Sequence, residues 1–307
     1  MAANSRKFEL TNFHLFNIGS GGLLLLGIGL AMQSSFTPKP ETPLCEARYA
    51  GGVLFSYTRQ GAPLTPEDLQ ARLAGLDRGI VSNARIVKDA AVANGFALEV
   101  ALKRAKADED EQARSGIGYT WVPRQLASAS AVCLSYNVWV PEDFKPGEGG
   151  VLPGLVSDGQ SASHDPEQAT SKPDPADDSQ AAAVKAPPFS MRVQWRNDNT
   201  LMLWQVPNIG GSGGIALDTA KAALKPGQWV RIEQEAVLNT PGQTNGTLRT
   251  WVNGKLLVER FDIGFRKDDM QSFQAIAGNV HHLRGMSWAP APAETRLRLS
   301  PLELRMR

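Results

Sequence analysis

Apolar and polar positions along this chain alternate mostly in the manner of half-buried strands. Phe96, Leu98, Val100 and Leu102 recur at every second residue, as do Val132, Leu134, Tyr136, Val138 and Val140, the spacing at which side chains of one strand share a face. From Trp229 the pattern shortens to Trp229-Val230-Arg231-Ile232 and Leu248-Arg249-Thr250-Trp251-Val252, with Asn245-Gly246 and Asn253-Gly254 beside them. Asn-Gly next to alternating runs predicts tight hairpins, because both residues tolerate positive φ. Leu297, Leu299, Leu302 and Leu304 predict one closing strand. A helical period follows Thr65: Pro66 suits the first helical position, Glu67 and Asp68 the first turn, and Leu69, Leu73 and Leu76 fall on one helical face.

Two segments depart from the strand pattern. Residues 13–32 read FHLFNIGSGGLLLLGIGLAM, about the 20 residues a helix needs to cross a hydrocarbon core. Arg6 and Lys7 precede this run and Pro38, Lys39, Pro40 and Glu41 follow it, so the positive-inside rule predicts a cytoplasmic 1–12, a transmembrane signal anchor at 13–32 and an exit linker at 33–44. That reading places the protein in the inner membrane with its bulk in the periplasm. A cleaved signal peptide ending near Gly29-Leu30-Ala31, giving a secreted protein, is the rival. Residues 159–188 are rich in Ser, Ala, Asp, Pro and Gln and predict a disordered insertion within a single domain at 45–307. The expected fold is therefore an all-β sandwich of jelly-roll type with one N-terminal transmembrane helix.

With 32 basic against 31 acidic side chains, no net field draws the chain to nucleic acid or to anionic lipid. Cys45 and Cys133 lack CxxC or Cys/His spacing, which argues against a metal site and leaves either one disulfide or two buried thiols. No phosphate loop or nucleophile elbow suggests a cofactor or an acyl-transfer site.

Three stretches carry a family resemblance. They are Leu134-Ser135-Tyr136 leading to Gly149-Gly150-Val151-Leu152-Pro153-Gly154-Leu155; Phe189-Ser190-Met191-Arg192-Val193-Gln194-Trp195-Arg196; and Trp229 to Gly254 with Leu238-Asn239-Thr240-Pro241-Gly242-Gln243. In this order they resemble the polysaccharide lyase 14 family. The resemblance implies a concanavalin-like jelly roll and cleavage of acidic polysaccharide by β-elimination, with Arg192 as the arginine on the substrate side. Strand alternation puts Ser190, Arg192, Gln194 and Arg196 on one face as substrate-binding candidates, and turns Met191, Val193 and Trp195 to the core. Arginine suits this role because its planar guanidinium pairs bidentately with a carboxylate.

The departures matter as much. Val151 stands where the family has a lysine, and Leu201 to Pro207 reads LMLWQVP where it has a tyrosine pair. Trp204 or Leu203 faces the first tyrosine position, and Val206 or Gln205 the second. Trp204 is either a stacking surface for a sugar ring or a core residue. His281 and His282 are the candidates for a substitute base; adjacent strand residues face opposite ways, so at most one reaches a groove. The expectation is a membrane-anchored periplasmic protein that binds acidic polysaccharide without eliminating it. The alternatives are an active uronate lyase with a rearranged site, and a non-enzymatic accessory subunit of an envelope protein assembly.

Overall fold

Strands dominate the computed structural model, which describes residues 43–103, 116–157, 189–206, 213–216, 222–269, 271–283 and 294–307. One sheet runs β15 (Lys255–Ile263), β14 (Gly246–Val252), β13 (Trp229–Val237), β8 (Ala131–Trp139), β18 (Thr295–Leu299), β6 (Phe96–Leu102), β5 (Ala84–Lys88). In the same sheet β19 (Leu302–Met306) pairs with β8, and β1 (Val53–Phe55) with β19. The second sheet runs β12 (Gly213–Ala216), β11 (Leu201–Val206), β10 (Ser190–Arg196), β9 (Gly149–Val156), β16 (Ala275–Ala277), β7 (Gly118–Trp121), β4 (Ala74–Arg78), with β17 (His281–His282) also on β9. Strands β2 (Thr58–Arg59) and β3 (Ala62–Pro63) form a separate hairpin. The pairings are antiparallel, and they join segments far apart in sequence, as in a jelly-roll sandwich.

Alternation builds the core between the sheets. Leu98, Val100, Leu102, Val132, Leu134, Tyr136 and Val138 from the first sheet join Leu152, Leu155, Met191, Val193, Trp195, Leu201 and Leu203 from the second in one buried cluster. Burying each large apolar side chain contributes about 1.5–3 kcal/mol. The helix after Thr65 starts as its signals predict, with Thr65 Oγ1 accepting from the Asp68 amide at 3.1 Å, but it spans only Pro66–Ala71: Leu73 follows it and Leu76 lies in β4.

Turn chemistry is met at one Asn-Gly pair and not at the other. Asn253 and Gly254, at φ 50° and 77°, join Val252 to its partner Lys255 in a two-residue hairpin. Asn245-Gly246 makes no such turn. It ends the longer connection Leu238–Asn245, where Asn245 Oδ1 accepts from the Thr240 amide at 2.8 Å and Gly246 already opens β14. The predicted closing strand is two strands, β18 and β19, divided at Ser300-Pro301. Proline offers no amide to the ladder.

Cys45 and Cys133 are joined in a disulfide. It fastens the short 3-10 turn Cys45–Arg48 to β8, on the side of the first sheet turned away from the core.

The expected membrane helix requires correction. Among the described residues no helix is long and apolar enough to cross a membrane. Residues 13–32 themselves, the flanking 1–12 and the insertion at 159–188 lie outside the described residues. The fold is an almost all-β sandwich, and the anchor, the membrane as partner and the inner-membrane, periplasmic placement are withdrawn with the helix they rested on.

Candidate functional site

The face of the second sheet turned away from the core carries the predicted site. Its centre is β10, where Arg192 pairs with Trp204 of β11 on one side and with Gly154 of β9 on the other. One step along, Gln194 pairs with Met202 and with Val151. Ser190 pairs with Val156 and Val206. Directly opposed residues in an antiparallel pair share a face, so Ser190, Arg192, Gln194, Val151, Gly154 and Trp204 look the same way. The apolar partners of β10 behave as the sequence indicates: Met191, Val193 and Trp195 lie in the core.

Glycine is required beside Arg192. A Cβ on Gly154 would fall 2.7 Å from Arg192 Cγ and 2.1 Å from the Met191 carbonyl oxygen, so only a residue without a side chain lets the arginine lie across β9 there. Arg192 is 1% exposed and Gln194 3%. Val156, Ala275 and Ala277 form a small apolar cluster on the same face. The floor is thus small and apolar, with the guanidinium set into it.

A bulge aligns this face. Gln194 and Arg192 are two residues apart, whereas their partners Val151 and Gly154 are three apart, so β9 holds one residue more than β10 between the two pairs. Accordingly Leu152 and Leu155, also three apart, both enter the core. The bulge contains Pro153, a residue that strands tolerate at such points because it has no amide to pair.

The two histidines separate as strand alternation requires. His281 pairs with Val151 and so joins the Arg192 face, one strand beyond the position where the family lysine is replaced. His282 pairs with Gly150 and stands 5.8 Å, edge to face, from the buried ring of Trp195. Burial holds the His282 ring below its ordinary pKa. His281 Nδ1 lies 2.9 Å from the His282 carbonyl oxygen.

Core packing decides which residue of β11 faces the groove. Leu203 is in the core and Trp204 is not, so Trp204 occupies the groove-side position opposite Arg192. The Trp204 indole Nε1 is buried and makes no hydrogen bond, a donor held from water without an acceptor. Arg196 continues the row but is exposed at the strand end. Among the described residues no group of three or more His, Cys, Asp and Glu side chains is placed to hold a metal ion.

Sequence reasoning passed over two residues that bear on the site from the other sheet. Tyr136 donates to the Pro153 carbonyl at 2.9 Å, and Gln234 Nε2 donates to the same oxygen at 2.9 Å. One signal was visible: Gln234 is the polar member of the apolar series Val230, Ile232, Ala236.

Comparison with known proteins agrees with this architecture. The family model described as polysaccharide lyase 14 matches residues 209–290, a span that contains both histidines but neither Val151 nor Arg192. The PL-14 alginate lyase from Aplysia kurodai is similar in structure, with a TM-score of 0.62 at 18% identity over 84% of this chain and 100% of that one. The alginate lyase vAL-1 from Chlorella virus gives 0.56 at 16% identity over 77% and 94%. Alginate lyase Aly36B gives 0.52 at 16% over 83% and 95%. No curated protein matches. The chain carries a jelly-roll domain resembling the polysaccharide lyase 14 family.

Proposed function

We propose that this protein is a uronate polysaccharide lyase with a rearranged site, in which Arg192 meets the uronate carboxylate and His281 removes the C5 proton. The observation that carries this reading is the common face of the two residues on either side of β9, Arg192 registered to Gly154 and His281 to Val151. At about 4.8 Å per strand and about 3.4 Å per residue, their Cα atoms stand roughly 12 Å apart. A uronate ring fits between an extended arginine and an imidazole at that separation.

In the elimination, neutral His281 Nε2 takes the C5 proton and the C–H electron pair becomes the C4–C5 double bond. The C4–O bond breaks, and the departing oxygen is protonated by the imidazolium or by water. Arg192 lowers the barrier by stabilising charge that develops on the carboxylate as the proton leaves. Trp204 offers a ring face to the sugar and an unused N–H. Support also comes from the similar structures, which are alginate lyases by name. The near-complete burial of Arg192 means that turnover requires this row to become accessible to polymer.

The test is the ultraviolet absorbance of unsaturated product from alginate and glucuronan. Turnover is expected from the full chain, falling at least about 100-fold in Arg192→Met and in His281→Gln. Absence of turnover with polymer binding retained would overturn the lyase reading in favour of recognition alone. Absence of both would leave the groove without a role in polysaccharide chemistry.

A further inference from the structure

The bulge in β9 decides which histidine shares a face with the arginine. Strand β17 pairs with β9 before the bulge, at Gly150 and Val151, while β16 pairs with it after the bulge, at Gly154, Leu155 and Val156. Arg192 is registered to Gly154 and His281 to Val151. Three residues separate these two positions, an odd number that in a regular strand puts side chains on opposite faces. The extra residue restores them to one face. If the bulge were lost, the segment before it would slip by one residue and every side chain there would change sides.

What holds the bulge comes from the facing sheet. Tyr136 and Gln234 stand on β8 and β13, both within the core layer, and both donate to the Pro153 carbonyl at 2.9 Å. Gln234 Nε2 also lies 3.4 Å from the Tyr136 hydroxyl. Both residues are at most 2% exposed. Such polar groups are costly in a sandwich core unless they are paired, and this carbonyl is the acceptor that pairs them.

We infer that Tyr136 and Gln234 are positioning residues: by clamping the Pro153 carbonyl they fix the β9 bulge and keep His281 and Arg192 on one face. The inference builds on the proposed lyase site, but its structural half stands apart from that reading.

Tyr136→Phe, Gln234→Met and the double variant would be compared with the unaltered chain by three measurements. In the unaltered chain, nuclear Overhauser contacts are expected between the His281 ring and the Val151 methyl groups. In the double variant these contacts weaken or vanish, and the amides of Val151, Leu152, Gly154 and Leu155 exchange at least tenfold faster while β6 and β18 keep their protection. If the chain turns over uronate polymer, kcat falls at least tenfold with KM within twofold, and each single variant lies between. Unchanged contacts and unchanged β9 exchange in the double variant would overturn the inference, whatever the activity. A chain without lyase activity would remove the proposed function, and the first two measurements would still decide the clamp. Should the double variant fail to fold, Tyr136→Phe alone carries the same comparison.

Discussion

The two outward faces of the sandwich set their charges in different surroundings. On the first sheet, Glu235 is fully buried yet receives Arg249 at 2.6 Å, Arg48 at 3.1 Å and the Tyr49 hydroxyl at 2.7 Å. Arg249 continues to Glu259 at 2.8 Å, and Arg231 bridges Glu46 at 2.7 Å and Glu233 at 3.2 Å. Farther along the sheet, Glu99 takes Arg85 at 2.7 Å and Arg298 at 3.1 Å. On the second sheet, Arg192 and His281 stand above a floor of Val151, Gly154, Val156, Ala275 and Ala277. Charges matched in reciprocal pairs hold structure together. Arg192 instead lies beside small apolar residues of β9 and β16.

The largest effect should come from breaking the paired face. Glu235→Gln leaves Arg48 and Arg249 facing a neutral group and is expected to cost about 3–5 kcal/mol, the range for breaking a buried pair by removing one partner. Urea unfolding at neutral pH measures it. A loss under about 1 kcal/mol would mean that the network is slack and that the contrast between the faces is superficial.

Next comes the strap that brings Arg48 and Tyr49 over Glu235. The disulfide joins residues 88 apart in sequence, and Cys133 is the cross-strand partner of Glu235. Replacing both cysteines by alanine should lower stability by about 2–4 kcal/mol, since the open chain regains conformational freedom in its unfolded state. Combined with Glu235→Gln, the losses should be less than additive, because the strap supplies two of the partners of that carboxylate.

The smallest expected effect separates the two sheets by pH. Burial lowers the His282 pKa below the ordinary 6.5 of an imidazole, so the unfolded chain takes up the proton first. Stability should fall as pH drops through 6.5, and His282→Leu should flatten that slope. Glu99 behaves otherwise: burial alone would raise its pKa, but hydrogen bonds from Arg85 and Arg298 bring it below the ordinary 4.5. Its contribution is present above the unfolded value and is lost only as pH falls through the lower folded one. Thermal melts from pH 8 to pH 3 should therefore show two steps, the His282 step nearer neutrality. Persistence of the step nearer neutrality in His282→Leu would refute the assignment, which expects only the lower, Glu99 step to survive.

The sequence by itself determined the strands, the capped helix at Pro66–Ala71, the hairpin at Asn253-Gly254 and the face shared by Ser190, Arg192 and Gln194, because each depends on neighbours a few residues apart. It also displayed the family resemblance and the losses at Val151 and in the tyrosine pair. It left open which of Trp204 and Leu203 faces the groove, which histidine joins Arg192, and whether Cys45 and Cys133 are bonded. Only the tertiary structure decided these. Each depends on register between strands brought together from distant parts of the chain, and one extra residue in β9 reverses the phase that a regular strand would impose. Nor does alternation tell the settings of outward charges apart: Glu235 and Arg192 both face outward from their sheets, and only the tertiary packing brings the strap over one and small apolar residues beside the other.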